Sequence, residues 1–147
     1  MLRHYSAWWR TILCGLLLVV GLDAAAMWTR LSESELLERS DLVLTGTLIG
    51  QSPVRVAGED LLLAVIKVDA VYKGAADLSV VFLVLPAPER PISSSDLHYR
   101  VGQSGLWFLR QRSASERGLF LADHPQRFIP SDKASPRIEA LRKARSN

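Results

Sequence analysis

Outside the first 26 residues the chain has two histidines, His98 and His124. Imidazole both binds metals and moves protons near neutrality, so these are the side chains with the widest chemistry. Asp96 and His98 have the i, i+2 spacing that puts two side chains on one face of an extended segment, and Asp123 precedes His124. That pattern would suit a mixed carboxylate and imidazole metal site. Isolated loop histidines are more often solvated surface groups, and neither a metal nor any other cofactor is expected. Gly102-Gln103-Ser104-Gly105 is one residue short of a nucleophile elbow and lies outside a strand-to-helix context, so it reads as a turn. Glu59-Asp60 falls in a polar stretch with no apolar surroundings to raise a carboxyl pKa. There is no phosphate-binding loop, dinucleotide fingerprint or H-E-x-x-H. No catalytic residue is assigned, and an enzyme is not expected.

Binding surfaces are easier to sketch. Trp107, with Arg110 and Arg112 close in sequence and Arg127 beside Phe128, has the aromatic and basic mixture of barrels that bind extended polymers. Trp107 and Phe108 are neighbours in a strand and face opposite ways, so at least one belongs to the core. The charge is also uneven. Residues 27–109 hold 7 basic and 10 acidic side chains, whereas residues 110–147 hold 9 basic and 4 acidic. Arg137, Arg142, Lys143 and Arg145 make the end of the chain a basic block, suited to an anionic surface or, more plainly, to a solvated helix end.

The elements that must position these residues are mostly strands. Ser32 and Glu35 form a capping-box pattern ahead of a short helix over residues 33–39. Residues 42–49 are β-branched and apolar, with Gly46 permitting a bulge or bend. Residues 51–60, with Pro53 and Gly58, read as a hairpin loop before a strand over 61–72. On that strand Leu62, Ala64, Ile66, Val68, Ala70 and Tyr72 share a face. Residues 78–85 are apolar on both faces, as in a central strand. Pro86, Pro88 and Pro91 open a polar loop that runs to Arg100. Residues 106–110 and 118–122 pair as a hairpin, and Ser135-Pro136 starts a final helix with Ile138 and Leu141 on its apolar side. Five strands result.

The first 26 residues have a basic region carrying Arg3 and Arg10, an apolar run over 11–22, and Ala24-Ala25-Ala26. This is the layout of a secretory signal, with Ala24 and Ala26 as the small residues and Met27 as the new first residue. Domains are therefore read as a signal peptide (1–26), a barrel domain (27–134) and a basic C-terminal helix or tail (135–147). Cys14, the only cysteine, lies in the leader, so the exported part must be held by packing alone. The protein is expected in the periplasm or outside the cell; the alternative is an uncleaved N-terminal membrane anchor. Export also removes it from nucleic acid, and none is expected as a partner.

Five antiparallel strands with a bend-permitting glycine suit an OB-like Greek-key barrel, with a β-sandwich as the alternative. Three segments carry a resemblance: Ser40-Asp41-Leu42-Val43-Leu44-Thr45-Gly46-Thr47-Leu48, Val68-Asp69-Ala70-Val71-Tyr72-Lys73-Gly74 and Gly105-Leu106-Trp107-Phe108-Leu109. The series resembles small secreted bacterial proteins of undescribed function. It is also similar to the barrel of netrin-like modules and tissue inhibitors of metalloproteinases. The resemblance implies OB-like architecture but does not imply an activity, and an inhibitory mechanism of that type is unsupported, because those inhibitors address zinc with an N-terminal cysteine that residues 27–147 lack. The leading expectation is an exported, non-enzymatic binding domain for an extracytoplasmic protein or an anionic envelope surface. The alternatives are an inhibitor or regulator of an extracytoplasmic enzyme acting through the loop over 86–100, and a hydrolase with unrecognised residues.

Overall fold

A computed structural model describes residues 28–86 and 97–146. The chain is mainly β. Helix α1 (Glu33–Glu38) is followed by β1 (Leu42–Val56), β2 (Glu59–Lys73), β3 (Val80–Leu85), β4 (Ser104–Gln111) and β5 (Leu119–Leu121). A 3-10 turn (Pro125–Arg127), β6 (Phe128–Pro130) and α2 (Ser131–Arg145) complete it. No helix among the described residues is long and apolar enough to cross a membrane.

The sheet has the strand order β1-β2-β3-β5-β4-β6, and β1 also pairs with β4. Pairing therefore runs from β1 through β2, β3, β5 and β4 back to β1, with β6 added along β4. Two features differ from the expected five antiparallel strands. β3 and β5 run parallel at Phe82/Leu119 and Leu83/Phe120, so the sheet is mixed, and Phe128–Pro130 makes a sixth strand against Gly105, Leu106 and Trp107.

Alternation along the strands separates two apolar clusters. Leu44, Leu48, Ala64, Ile66, Val81, Leu83, Trp107 and Leu109 fill the inner one. Val43, Leu106 and Phe108 face the other way, under Leu36 of α1 and Ala134 of α2. Successive residues of a strand point to opposite faces, so β1 and β4 each feed both clusters, and Trp107 and Phe108 are both buried.

Several sequence expectations change in detail. The 51–60 loop is instead a β-ribbon closed by Ala57-Gly58, with φ of 51° and 84°, the signature of a two-residue hairpin turn. Pro53 is tolerated because β4 pairs with β1 only as far as Thr47, leaving that side of the ribbon unpaired. Register shifts between Thr45/Gly46 and Val43/Leu44 add residues on β2. Each bulge reverses the alternation, so Val71 enters the inner core and Tyr72 joins the other cluster, where a regular strand would have sent Ala70 and Tyr72 inward. Gly46 meets a packing demand, since a Cβ there would lie 2.5 Å from the Lys67 carbonyl oxygen.

α1 has both capping-box bonds: Glu35 N–H donates to Ser32 Oγ and Ser32 N–H donates to Glu35 Oε2. α2 starts at Ser131, four residues before the Ser135-Pro136 start read from the sequence, and it contains Pro136. Packing decides this start. Ala134 is fully buried against the second cluster, and a proline in the second turn forfeits only one bond near the helix end.

Candidate functional site

A dense polar cluster surrounds Arg127, which is 4% exposed. Its Nη1 donates to Ser40 Oγ (3.1 Å) and the Phe108 carbonyl (3.2 Å), and Nη2 donates to the Arg39 carbonyl (3.2 Å). Nε lies 3.2 Å from Asp123 Oδ1, near enough for an ion pair but not aligned for a hydrogen bond. Asp123 also accepts from Arg110 Nε (2.8 Å) and Nη2 (2.5 Å). Burial pushes the Asp123 carboxyl up, but the Arg110 bond and the charges of Arg110 and Arg127 outweigh it and hold the group below the usual range. Burial lowers the Arg127 guanidinium, with Asp123 opposing that shift, whereas the Asp123 bond raises Arg110.

The cluster ties three distant segments together. Ser40 O–H donates to the Leu36 carbonyl (2.6 Å), fastening the end of α1, and Asp41 Oδ2 accepts from Gln111 N–H (2.7 Å). Lys73 Nζ donates to the Leu37 carbonyl (2.7 Å). The polar members of the Ser40-Asp41 and Lys73-Gly74 segments thus hold α1 against the sheet. Tyr99, at the end of the long loop, packs on Trp107 and Phe128 with ring centroids 5.1 and 5.7 Å away. Its hydroxyl donates to the Ala122 carbonyl (2.9 Å), and burial, with the Asp123 charge, raises its pKa.

The other candidates divide between structural and free groups. Trp107 is fully buried and donates from Nε1 to the Gly46 carbonyl (3.0 Å), so it and Arg127 are interior residues and leave the candidate surface. Arg112 bridges Glu59 at the hairpin tip and Glu116 in the β4–β5 loop. Arg137 donates to Glu33 Oε1 (2.9 Å from Nε) and sits over the Phe108 ring at 5.9 Å. Arg145 Nη1 donates to the Val71 carbonyl (2.9 Å). Arg142 and Lys143 are exposed, and Arg142 and Arg145 line a groove of about 420 Å³ with Tyr72 and Ser146.

Ser104 opens β4 opposite Thr47, as a strand residue. Glu59 pairs with Arg112, and Asp60 lies 3.6 Å from Arg55. His98 is exposed, and its proposed companion Asp96 lies outside the described residues, as do Ala24, Ala26 and Met27. His124 uses both ring nitrogens: Nδ1 accepts from Gln126 N–H (3.2 Å) and Nε2 lies 3.1 Å from the Thr29 carbonyl oxygen. Among the described residues no group of three or more His, Cys, Asp or Glu side chains is placed to hold a metal.

A surface that was not singled out from the sequence lies on the outer side of β2 and β3. Gly50 pairs with Val65, Val65 with Phe82, and Phe82 with Leu119, so one row of outward residues crosses four strands. Beside it the row Thr47–Lys67–Val80 adds a second apolar position and one charge. Phe82 is 41% exposed, Val80 43% and Ile49, at a bulge of β1, 51%. The turn carrying Val101 is bonded to Leu48, next to Ile49, and Val101 is 57% exposed. Leu61 and Val84 are buried, which confines the open patch to the neighbourhood of Val65, Val80 and Phe82. Its sequence signal was the two-sided apolar character of residues 78–85. One side feeds the core; the other is open.

No protein-family model matches the chain, and no curated protein matches it either.

Proposed function

We propose that this chain is an exported, non-enzymatic interaction domain of OB-like architecture that takes a protein partner on the outer face of β2 and β3. The pairing circuit β1-β2-β3-β5-β4-β1, with β3 and β5 parallel, supports the OB-like reading. The observation that carries the functional reading is the pair of adjoining outward rows, Val65 with Phe82 and Lys67 with Val80, in which Phe82 and Val80 stand open and Lys67 is the one charge. A contiguous exposed apolar patch favours a protein partner. Nucleic acid or a glycan would call for a basic groove and several stacking rings, and Trp107, the best stacking candidate, is interior. His124, Asp123 and Glu59 are engaged in contacts that hold elements together, which favours binding over turnover. Export rests on the leader pattern ending at Ala24-Ala25-Ala26.

The test uses Phe82→Glu and Val80→Glu. Both positions are exposed, so the thermal midpoint should stay within a few degrees of wild type, which corresponds to less than about 1 kcal/mol. A protein retained from the envelope fraction by the wild-type chain should be lost with both variants. Equal retention by the variants would overturn the assignment.

A further inference from the structure

The first described residues do not trail free. Gln126 brackets Leu31, accepting its N–H at Oε1 (2.7 Å) and donating from Nε2 to its carbonyl (2.9 Å). His124 lies edge-on to Trp28 with ring centroids 5.2 Å apart, and its Nε2 is 3.1 Å from the Thr29 carbonyl oxygen. Its Nδ1 accepts from Gln126 N–H, capping the 3-10 turn that carries Gln126. A carbonyl can only accept and an amide N–H can only donate. The arrangement therefore requires a proton on Nε2 and none on Nδ1, and only the neutral ring satisfies both partners.

We propose that His124 is an acid-sensitive latch that holds residues 28–31 against the 3-10 turn and releases them when the ring takes up a second proton. A proton on Nδ1 faces the Gln126 N–H, so the cap is lost and the turn that presents the Gln126 side chain loosens. Leu31 packs at the edge of the cluster under the helices, so release uncovers apolar surface there as well as the Trp28 ring. The charged groups around the latch are Arg30 on the docked segment and Asp123 on the preceding residue. Arg110 and Arg127 are both bound to that carboxylate, so the cluster keeps one net positive charge, and this charge is constant over the range in which histidine side chains titrate. The latch is thus independent of the face on β2 and β3.

Amide hydrogen exchange of the full chain, corrected for intrinsic rates, reads the latch at the Leu31 and Gln126 amides. Between about pH 8 and pH 5, where histidine side chains change charge, their protection should fall. His124→Asn keeps a cap acceptor that does not titrate, so its protection should be independent of pH over the same range. His124→Ala should be poorly protected throughout, with the Leu48 and Trp107 amides reporting that the sheet is intact. Constant protection in the wild type, or the same acid loss in His124→Asn, would overturn the latch.

Discussion

Replacing Arg127 by leucine removes a side chain that joins the end of α1 and β4 to the 3-10 turn. Three acceptors lose a donor: Ser40 Oγ and the carbonyls of Phe108 and Arg39. Each buried acceptor left unpaired costs about 1 kcal/mol or more, and a hydrogen bond from a charged donor is worth somewhat more than a neutral one. Asp123 keeps Arg110 and its side chain is 41% exposed, so its loss of Arg127 is largely made good by solvent and adds little. Relief of the cost of burying a guanidinium offsets part of the total. The sum is a loss of about 3 kcal/mol, a large share of the stability of a small domain. In urea, with a slope of about 1–3 kcal/mol/M, the midpoint should drop by roughly 1–3 M with the slope unchanged. Arg127→Lys, a single ammonium that cannot reach three acceptors on different segments, should fall between the two. A leucine variant within about 0.5 kcal/mol of wild type would refute the view that this cluster fastens α1 to the sheet.

Gly105→Ala places a methyl group against the Ile129 carbonyl oxygen and 2.8 Å from a Phe128 ring carbon, so β6 must move off β4. A destabilisation of about 3 kcal/mol or a failure to fold is expected, with early hydrogen exchange at the Phe128 and Ile129 amides as the local readout. The Asp123 carboxyl lies below its ordinary value in the folded chain, so its contribution is present above about pH 4 and is lost as acid titrates it. The stability difference between wild type and Asp123→Asn should therefore shrink as the pH falls from about 5 towards 2, and a difference that holds constant would contradict the ion pairs.

Local signals were legible in the sequence wherever the cause was local. Ser32 and Glu35 announce the α1 cap because both partners lie within one turn. The alternation around Leu62, Ala64 and Ile66 marks a strand, and the β4–β5 hairpin pairs Arg110 with Leu121 as the turn residues suggested. Long-range causes left no such trace. Ser40 and Arg127 are 87 residues apart, and nothing near Arg127 tells a buried structural arginine from a surface one. The bulges that send Val71 inward depend on the register between β1 and β2, which alternation within one strand cannot encode. The start of α2 follows from Ala134 docking on a cluster built by β1 and β4, and that overrides the cap pattern at Ser135-Pro136. The exposed patch was half legible: residues 78–85 are apolar on both faces, but pairing with β2 and β5 was needed to show that one face stays open.

The outer face of β2 and β3 is best tested by a photo-crosslinking amino acid at position 82 of the full chain, irradiated in the cells that produce it. A discrete adduct with one protein should form from position 82, disappear when Val80→Glu is added, and be absent when the probe sits at the exposed Asp132 on α2. The same adducts from both positions, or none from position 82, would contradict a partner-binding role for this face.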